Sequence, residues 1–410
     1  FVAQAFAKGA AGALVSQPVD VPHVLVPDVA AALTALAKAS RARMQGKVLG
    51  VTGSVGKTGT KEALAAALER RHRGKVHRSL KSYNNHTGVP LSLARMPRDS
   101  VYGVFEMGMN HAGEIRALTA LVRPHVALIT AIAPAHIENL GSMEAIADAK
   151  SEIFESLEAD GTAILPNDTP YRDRILRAAR RHAEHIVTFG GGDADVTALH
   201  AVRAENGGSL VTARLREREL TYNIAQPGEH WVSNSLAVLA AVEAVGADVA
   251  AAGLALGDMG GLKGRGERHR ITVEGGEVLL IDESYNANPA SMGATLRSLA
   301  EERVQGRRIA VLGTMLELGE FSDREHAGLA PIILDCRVVE LILVGDATRP
   351  LEQALAGRIP VRRVANAEAA TEALLATMRA GDAVLIKASN GVGLAKLVER
   401  VAGGAPTCST

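Results

Sequence analysis

Cysteine is almost absent: Cys336 and Cys408 are the only two in 410 residues. They lie far apart and form no metal-ligand spacing, which excludes a cysteine zinc site and leads us to expect a reducing, cytoplasmic home. Aromatic residues make up only 3% of the chain. Ala, Val, Leu and Gly abound instead, the composition of helices packed on buried parallel strands. No apolar run approaches the roughly 20 residues needed to cross a bilayer. Net charge is missing too. The 45 basic residues balance 45 acidic ones with no basic block, so nucleic acid is not expected as a partner. Segment 1–15 has no basic leader and carries Lys8, which makes it a poor signal peptide. No Met opens the chain, from which we expect it to begin part-way through a longer protein.

What is present is length and alternation. Two or three domains are expected from the length. Residues 1 to about 45 read as a helix (2–11), a short strand (12–15), a second short strand (23–26) and a helix (29–43). That is little material for a complete core, so it reads as the remnant of a domain. From Lys47 onward apolar runs alternate with helical patterns. Strands are expected at 47–52, 101–107, 125–131, 161–166 and 185–189, with helices at 57–70, 111–122, 143–157 and 170–182 between them. This is the signature of a parallel sheet with helices on its faces. Between Val196 and Asn223 shorter alternating runs around Asn206-Gly207-Gly208 suggest a small antiparallel addition, and helices follow at 231–245 and 247–256. The glycine-rich stretch 257–266, with Lys263 and Arg265 in it, reads as a hinge. Beyond it a second doubly wound unit is expected, with strands at 277–282, 307–312, 339–344, 361–364 and 382–387. The fold class is therefore α/β: a remnant at 1–45, a central phosphate-loop domain at 46–266 and a C-terminal Rossmann-like domain at 267–410.

The most informative stretch is Thr52-Gly53-Ser54-Val55-Gly56-Lys57-Thr58-Gly59. It follows an apolar strand and opens an Ala/Leu-rich helix, the context of a phosphate cradle. Gly53 and Gly56 free the backbone to bring N–H groups close to phosphate oxygens. Lys57 supplies a mobile positive charge, Thr58 a hydroxyl for a phosphate-bound Mg²⁺, and the helix its positive dipole end. Other stretches leave the ends of expected strands, where ligands gather in open parallel sheets. Glu106 ends one strand as an isolated carboxylate that could reach the same Mg²⁺. His136 follows another, and its neighbour Glu138 lacks the helical spacing of a zinc hydrolase. Lys150, inside an expected helix, reads on local pattern alone as a solvated lysine. The polar loop 81–87 carries amides suited to a substrate, or simply to turns. Tyr285, Asn286 and Asn288 stand at a strand–helix junction and suit recognition of a base or sugar, although Pro289 also fits a helix start. Stretch 387–393 is a weak dinucleotide fingerprint.

Taken together, these stretches resemble the Mur ligase family, the ATP-dependent amide-forming enzymes of peptidoglycan synthesis. The resemblance rests on 52–58, Asn84 to Pro90, Glu106-Met107-Gly108, His136-Ile137-Glu138, Lys150, and Gly228-Glu229-His230 with Asn234. Stretches 282–292 and 312–319 are similar to those of the branch that joins D-Ala-D-Ala to UDP-muramoyl-tripeptide. The resemblance implies that 1–45 is the end of a domain holding the UDP part of that substrate. It implies that Gly53, Ser54, Val55, Gly56, Lys57, Thr58 and Gly59 hold the ATP phosphates, with Asn234, Tyr285, Asn286 and Asn288 also contacting the nucleotide. Thr58, Glu106 and His136 would bind Mg²⁺, joined by Lys150 once CO₂ has carbamylated it. Arg265 would lie near the γ-phosphate. The implied partners are small-molecule substrates, with a monomer as the expected state. Two positions depart from the family pattern: Gly59, where Thr or Ser is more usual, and Lys387-Ala388-Ser389-Asn390, in place of Lys-Gly-Ser-Arg. A sister ligase, a folylpolyglutamate synthetase-like enzyme and a phosphate-loop ATPase without ligase activity are the competing readings.

Overall fold

The computed structural model describes residues 1–204 and 207–403; Asn206 of the expected turn and Cys408 lie outside them. Four apolar runs form strands whose residues are all or nearly all buried: Lys47–Thr52, Tyr102–Glu106, Val126–Ile129 and Thr162–Pro166. Burial on both faces is why these segments read as continuous rather than alternating hydrophobic runs. They pair in parallel within a nine-stranded sheet. Lys47–Thr52 sits between Tyr102–Glu106 and Val126–Ile129, so the phosphate loop leaves the sheet between two other strand ends. Such a reversal of strand order is where a parallel sheet opens a crevice.

Three strands differ from their neighbours in pattern. Val196–Arg203, Ser209–Leu215 and Arg218–Ile224 pair antiparallel and extend the same sheet. They alternate buried and exposed residues in part, as a sheet wet on one face does. The expected helix 143–157 divides into Met143–Ser151 and a 3₁₀ turn, Glu152–Ser156. Strand Val76–Arg78 was missed because three half-buried residues carry no period.

The second sheet has six strands. Gly276–Glu283, Ala383–Lys387, Arg308–Gly313, Glu340–Val344 and Val361–Val364 are parallel, as the alternation implies. Its antiparallel edge, Glu267–Val273, was missed. Its charged Glu-Arg-His-Arg start is only partly covered, and the run reads as a continuation of the hinge. At the other end of the chain, Ala13–Val15 and His23–Leu25 form a separate two-stranded parallel sheet. Helix Val29–Arg43, read with the remnant, packs instead on helix Gly88–Ala94 of the central layer. Its buried Arg41 donates to the carbonyls of Val122 at 2.7 Å and Arg123 at 2.6 Å. One apolar cluster runs from the central unit into the C-terminal one, from Ile129 and Ile137 to Leu318 and Met315. The two sheets thus face one another across a packed seam, with their carboxyl strand ends turned toward one cavity.

Candidate active site

The phosphate loop is held by the segment that follows Val126–Ile129. Ser54 Oγ donates to Ala133 O at 2.8 Å and accepts from Ala133 N at 2.9 Å. Thr130 Oγ1 donates to Val55 O at 2.5 Å. Gly56 has φ +82°, and a Cβ there would lie 2.6 Å from Asn234 Oδ1. The left-handed backbone and the close amide both require glycine. Lys57 is half-buried and tethered, its Nζ donating to Gly53 O at 2.7 Å. The mobile charge expected from the sequence is thus preset. Desolvation pulls the Lys57 amine below the usual lysine range; Glu106 opposes this and Arg265 adds to it.

Glu106 is fully buried and doubly bonded. Thr58 Oγ1 donates to its Oε2 at 2.8 Å, and Asn84 Nδ2 donates to its Oε1 at 2.8 Å. Asn84 therefore serves a carboxylate, rather than presenting its amide directly to a substrate. Asn85 closes a turn, accepting from Gly88 N at 2.9 Å.

Lys150 overturns its local reading. It is only 1% exposed, and no hydrogen bond or ion pair engages its Nζ among the described residues. Burial, and secondarily the charge of Lys57, push its amine well below the lysine range. The period of its helix hid this, because the face carrying Lys150 also carries Ile146 and Ala147 and packs inward.

The opposite wall comes from the C-terminal unit. Arg265 lies over the Tyr285 ring, 4.2 Å from its centroid, and Tyr285 Oη bonds Ser82 Oγ across the seam. Arg265 has no ion pair among the described residues. Asn288 caps helix Pro289–Ala300, its Oδ1 accepting from Ser291 N at 2.9 Å. Part of its expected ligand-binding role is thus structural. Lys387 is buried and paired: Nζ donates to Asn286 O at 2.9 Å and Glu283 Oε2 at 3.2 Å.

These walls enclose a cavity of about 290 Å³. Ser54, Val55, Gly56, Lys57, Gly59 and Glu106 line it from the central sheet, with His136 and Asn234 beside them. Arg265, Tyr285, Asn286, Asn288 and Lys387 line it from the other. Gly53, Thr58 and Lys150 do not: Gly53 lies against Thr130, Thr58 beneath on Glu106, and Lys150 behind Lys57.

A phosphate loop facing a second doubly wound unit across one cavity invites comparison with proteins of known architecture. The Mur ligase middle-domain model matches residues 51–242, and the model of the Mur ligase, glutamate ligase domain matches residues 264–390. The UDP-N-acetylmuramoyl-tripeptide–D-alanyl-D-alanine ligase of Bacillus subtilis is 34% identical over 97% of this chain and 86% of its own. The chain belongs to the Mur ligase family. A crystal structure of MurF from Acinetobacter baumannii superposes with TM-score 0.84 at 29% identity, over 98% of this chain and 87% of that one. MurF ligase from Thermotoga maritima in complex with ADP superposes with TM-score 0.81 at 25% identity, over 98% and 91% of the two chains.

Within this Mur ligase, Trp231 lines the cavity although it was not singled out from sequence, and Ser82, Glu283 and the half-buried His230 were named only inside longer stretches and given no role of their own. His230 Nδ1 has no partner among the described residues. Trp231 had a signal that went unread, the unusual Gly59. A Cβ on Gly59 would sit 2.9 Å from Trp231 Cη2, so the indole occupies the space a side chain would need. The helices Lys57–Glu69 and Glu229–Ala244 close on each other through this pair.

Proposed function

We propose that this Mur ligase joins D-Ala-D-Ala to UDP-muramoyl-tripeptide at the expense of ATP, a step in building the peptidoglycan precursor. The observation that carries this reading is the single cavity between two strand-end walls. One wall is preset for a triphosphate by Lys57 and the Gly53–Thr58 backbone. The other brings Arg265, which has no ion pair among the described residues, with the Tyr285 ring beneath it and the Asn286 side chain beside them. Asn234, Asn288 and His230 complete a nucleotide-sized enclosure.

In the proposed reaction the tripeptide's terminal carboxylate attacks the γ-phosphate, releasing ADP and forming an acyl phosphate. The free amine of D-Ala-D-Ala then attacks the acyl carbon, and phosphate leaves as the amide forms. Lys57 and Arg265 offset the negative charge that gathers as two anions approach. The apolar seam between the units excludes water that would otherwise consume the acyl phosphate.

The residues present fit Mg²⁺. Thr58 and Glu106 already form a buried oxygen pair, and His136 lies on the same cavity. Mg²⁺ would screen the phosphate charges there. Lys150 supports a further ligand, because only a neutral amine adds CO₂, and burial without a partner favours the neutral form of this amine. The carbamate would carry the negative charge a cation requires. We assign the chain to the cytoplasm, where its nucleotide substrates are made, and propose that it works as a monomer.

The test is phosphate release with ATP, UDP-muramoyl-tripeptide and D-Ala-D-Ala, omitting each in turn. Release should need all three, and Lys57→Ala should abolish it. Steady release without the dipeptide would identify a non-ligating ATPase instead.

A further inference from the structure

His136 and Glu317 meet across the seam between the units. His136 Nδ1 lies 2.5 Å from Glu317 Oε2. The contact is short but lacks the alignment of a hydrogen bond. Both residues hold left-handed backbones, with φ +59° and +64°, an uncommon conformation for non-glycine residues.

The loop carrying Glu317 is rigid. Met315 N donates to His326 Nε2 at 3.0 Å, and Leu316 N donates to Ser389 Oγ at 2.9 Å. His326 is itself fixed, its Nδ1 bonded to Ser322 O at 2.7 Å. Gly319, at φ +51°, lets the loop approach so closely that a Cβ would stand 3.0 Å from Glu138 Cγ. Glu317 therefore reaches His136 only when the C-terminal unit is seated on the central one.

Within the neutral ring, a carboxylate this near favours the Nδ1–H tautomer over Nε2–H, because two lone-pair-bearing atoms would repel at that distance. The Nε2 lone pair is then left over, with no protein partner among the described residues, on a residue that lines the phosphate-loop cavity. His136 and Glu317 also line a second cavity of about 170 Å³ that opens beside Asn288 and Asn390.

We propose that Glu317 is a positioning residue for His136. Delivered by the C-terminal unit, it fixes the Nδ1–H tautomer and turns Nε2 toward the cation that accompanies ATP. The inference rests on the reading of His136 as a cation ligand. Carboxylates behind a ligating imidazole set its orientation and raise its basicity, which matters most for a hard cation that prefers oxygen. Because the carboxylate comes from the C-terminal unit, the cation site is complete only where that unit is seated on the central one.

Two measurements on Glu317→Gln test this. Side-chain ¹⁵N spectra with ADP and no divalent cation, with His136 assigned by loss of its signal in His136→Gln, should show the Nδ1–H pattern in wild type and a tautomer mixture in the variant. The Mg²⁺ concentration for half-maximal phosphate release should rise about 10–100-fold at an unchanged melting temperature, with part of the loss recovered in Glu317→Asp. A His136 tautomer, or a Mg²⁺ requirement, that is the same in Glu317→Gln as in wild type overturns the proposal. Acceptor-independent phosphate release by the wild type would sink the ligase reading, while the spectra and the Mg²⁺ requirement would still decide on Glu317.

Discussion

The two walls of the cavity bury lysines in opposite ways. On the C-terminal wall, Lys387 is held by Glu283 and Asn286 O, and deeper in the central unit Lys61 is held by Ser79 O, Lys81 O and Glu62. Behind the phosphate loop, Lys150 is as deeply buried and has neither hydrogen bond nor ion pair among the described residues. A buried ammonium without partners costs several kcal/mol, so a fold that retains one keeps it neutral or gives it another chemistry. The contrast separates a lysine that supports structure from one available to react.

The sharpest way to break that contrast is Lys150→Ala. Turnover should fall by about 1,000-fold or more, the scale for a group acting at the transition state, while the melting temperature stays level or rises because an unpaired polar group is gone. Added short carboxylates should restore part of the rate. Normal activity in the variant would dispose of the carbamate. Lys387→Met should behave in reverse. It strands Glu283 in a poorly hydrated pocket, so stability should drop by about 3 kcal/mol, read by urea denaturation, with no rescue by carboxylates. An unchanged midpoint would show that the Lys387–Glu283 pair carries no structural weight.

Gly59→Thr probes the central wall alone. Overpacking against Trp231 should cost about 1–3 kcal/mol and raise the KM for ATP. Trp231 is the single tryptophan of the chain, so its fluorescence reports the clash directly. Gly59→Thr combined with Trp231→Ala should recover stability; failure to do so would disprove the pairing.

The smallest and least selective effect is that of pH, which should strike both units alike. His125 in the central unit is pushed down to about 4, chiefly by burial, and accepts from Val48 N at 3.0 Å. Burial also lowers His77 there and His326 in the C-terminal unit. Above about pH 6.5 these rings are neutral folded or unfolded. Below it the unfolded chain takes up protons that the fold refuses, so stability should decline as pH falls from about 6.5 toward 4. Thermal melts should show both units losing stability in that window; a melting temperature that is flat across it would contradict the burial argument.

Much of this architecture was legible because its causes are local. Continuous apolar runs at 47–52 and 162–166 signal strands buried on both faces, and strand, glycine turn and helix around Lys57 specify an anion cradle wherever they occur. The half-wet edge 267–273 and the short strand 76–78 escaped because their period is weak. Asn288 was read as a ligand contact and is a helix cap as well, since one amide at a helix start serves either purpose.

What the sequence determined by itself, then, is the alternation of the two sheets and the phosphate loop, because backbone sterics and side-chain period act over a few residues. The tertiary structure alone decided that Lys150 is buried without a partner, that Trp231 fills the space above Gly59, and that Glu317 stands against His136. Burial and charge pairing depend on which distant segments are packed together, and the neighbours that set them are not neighbours in the chain.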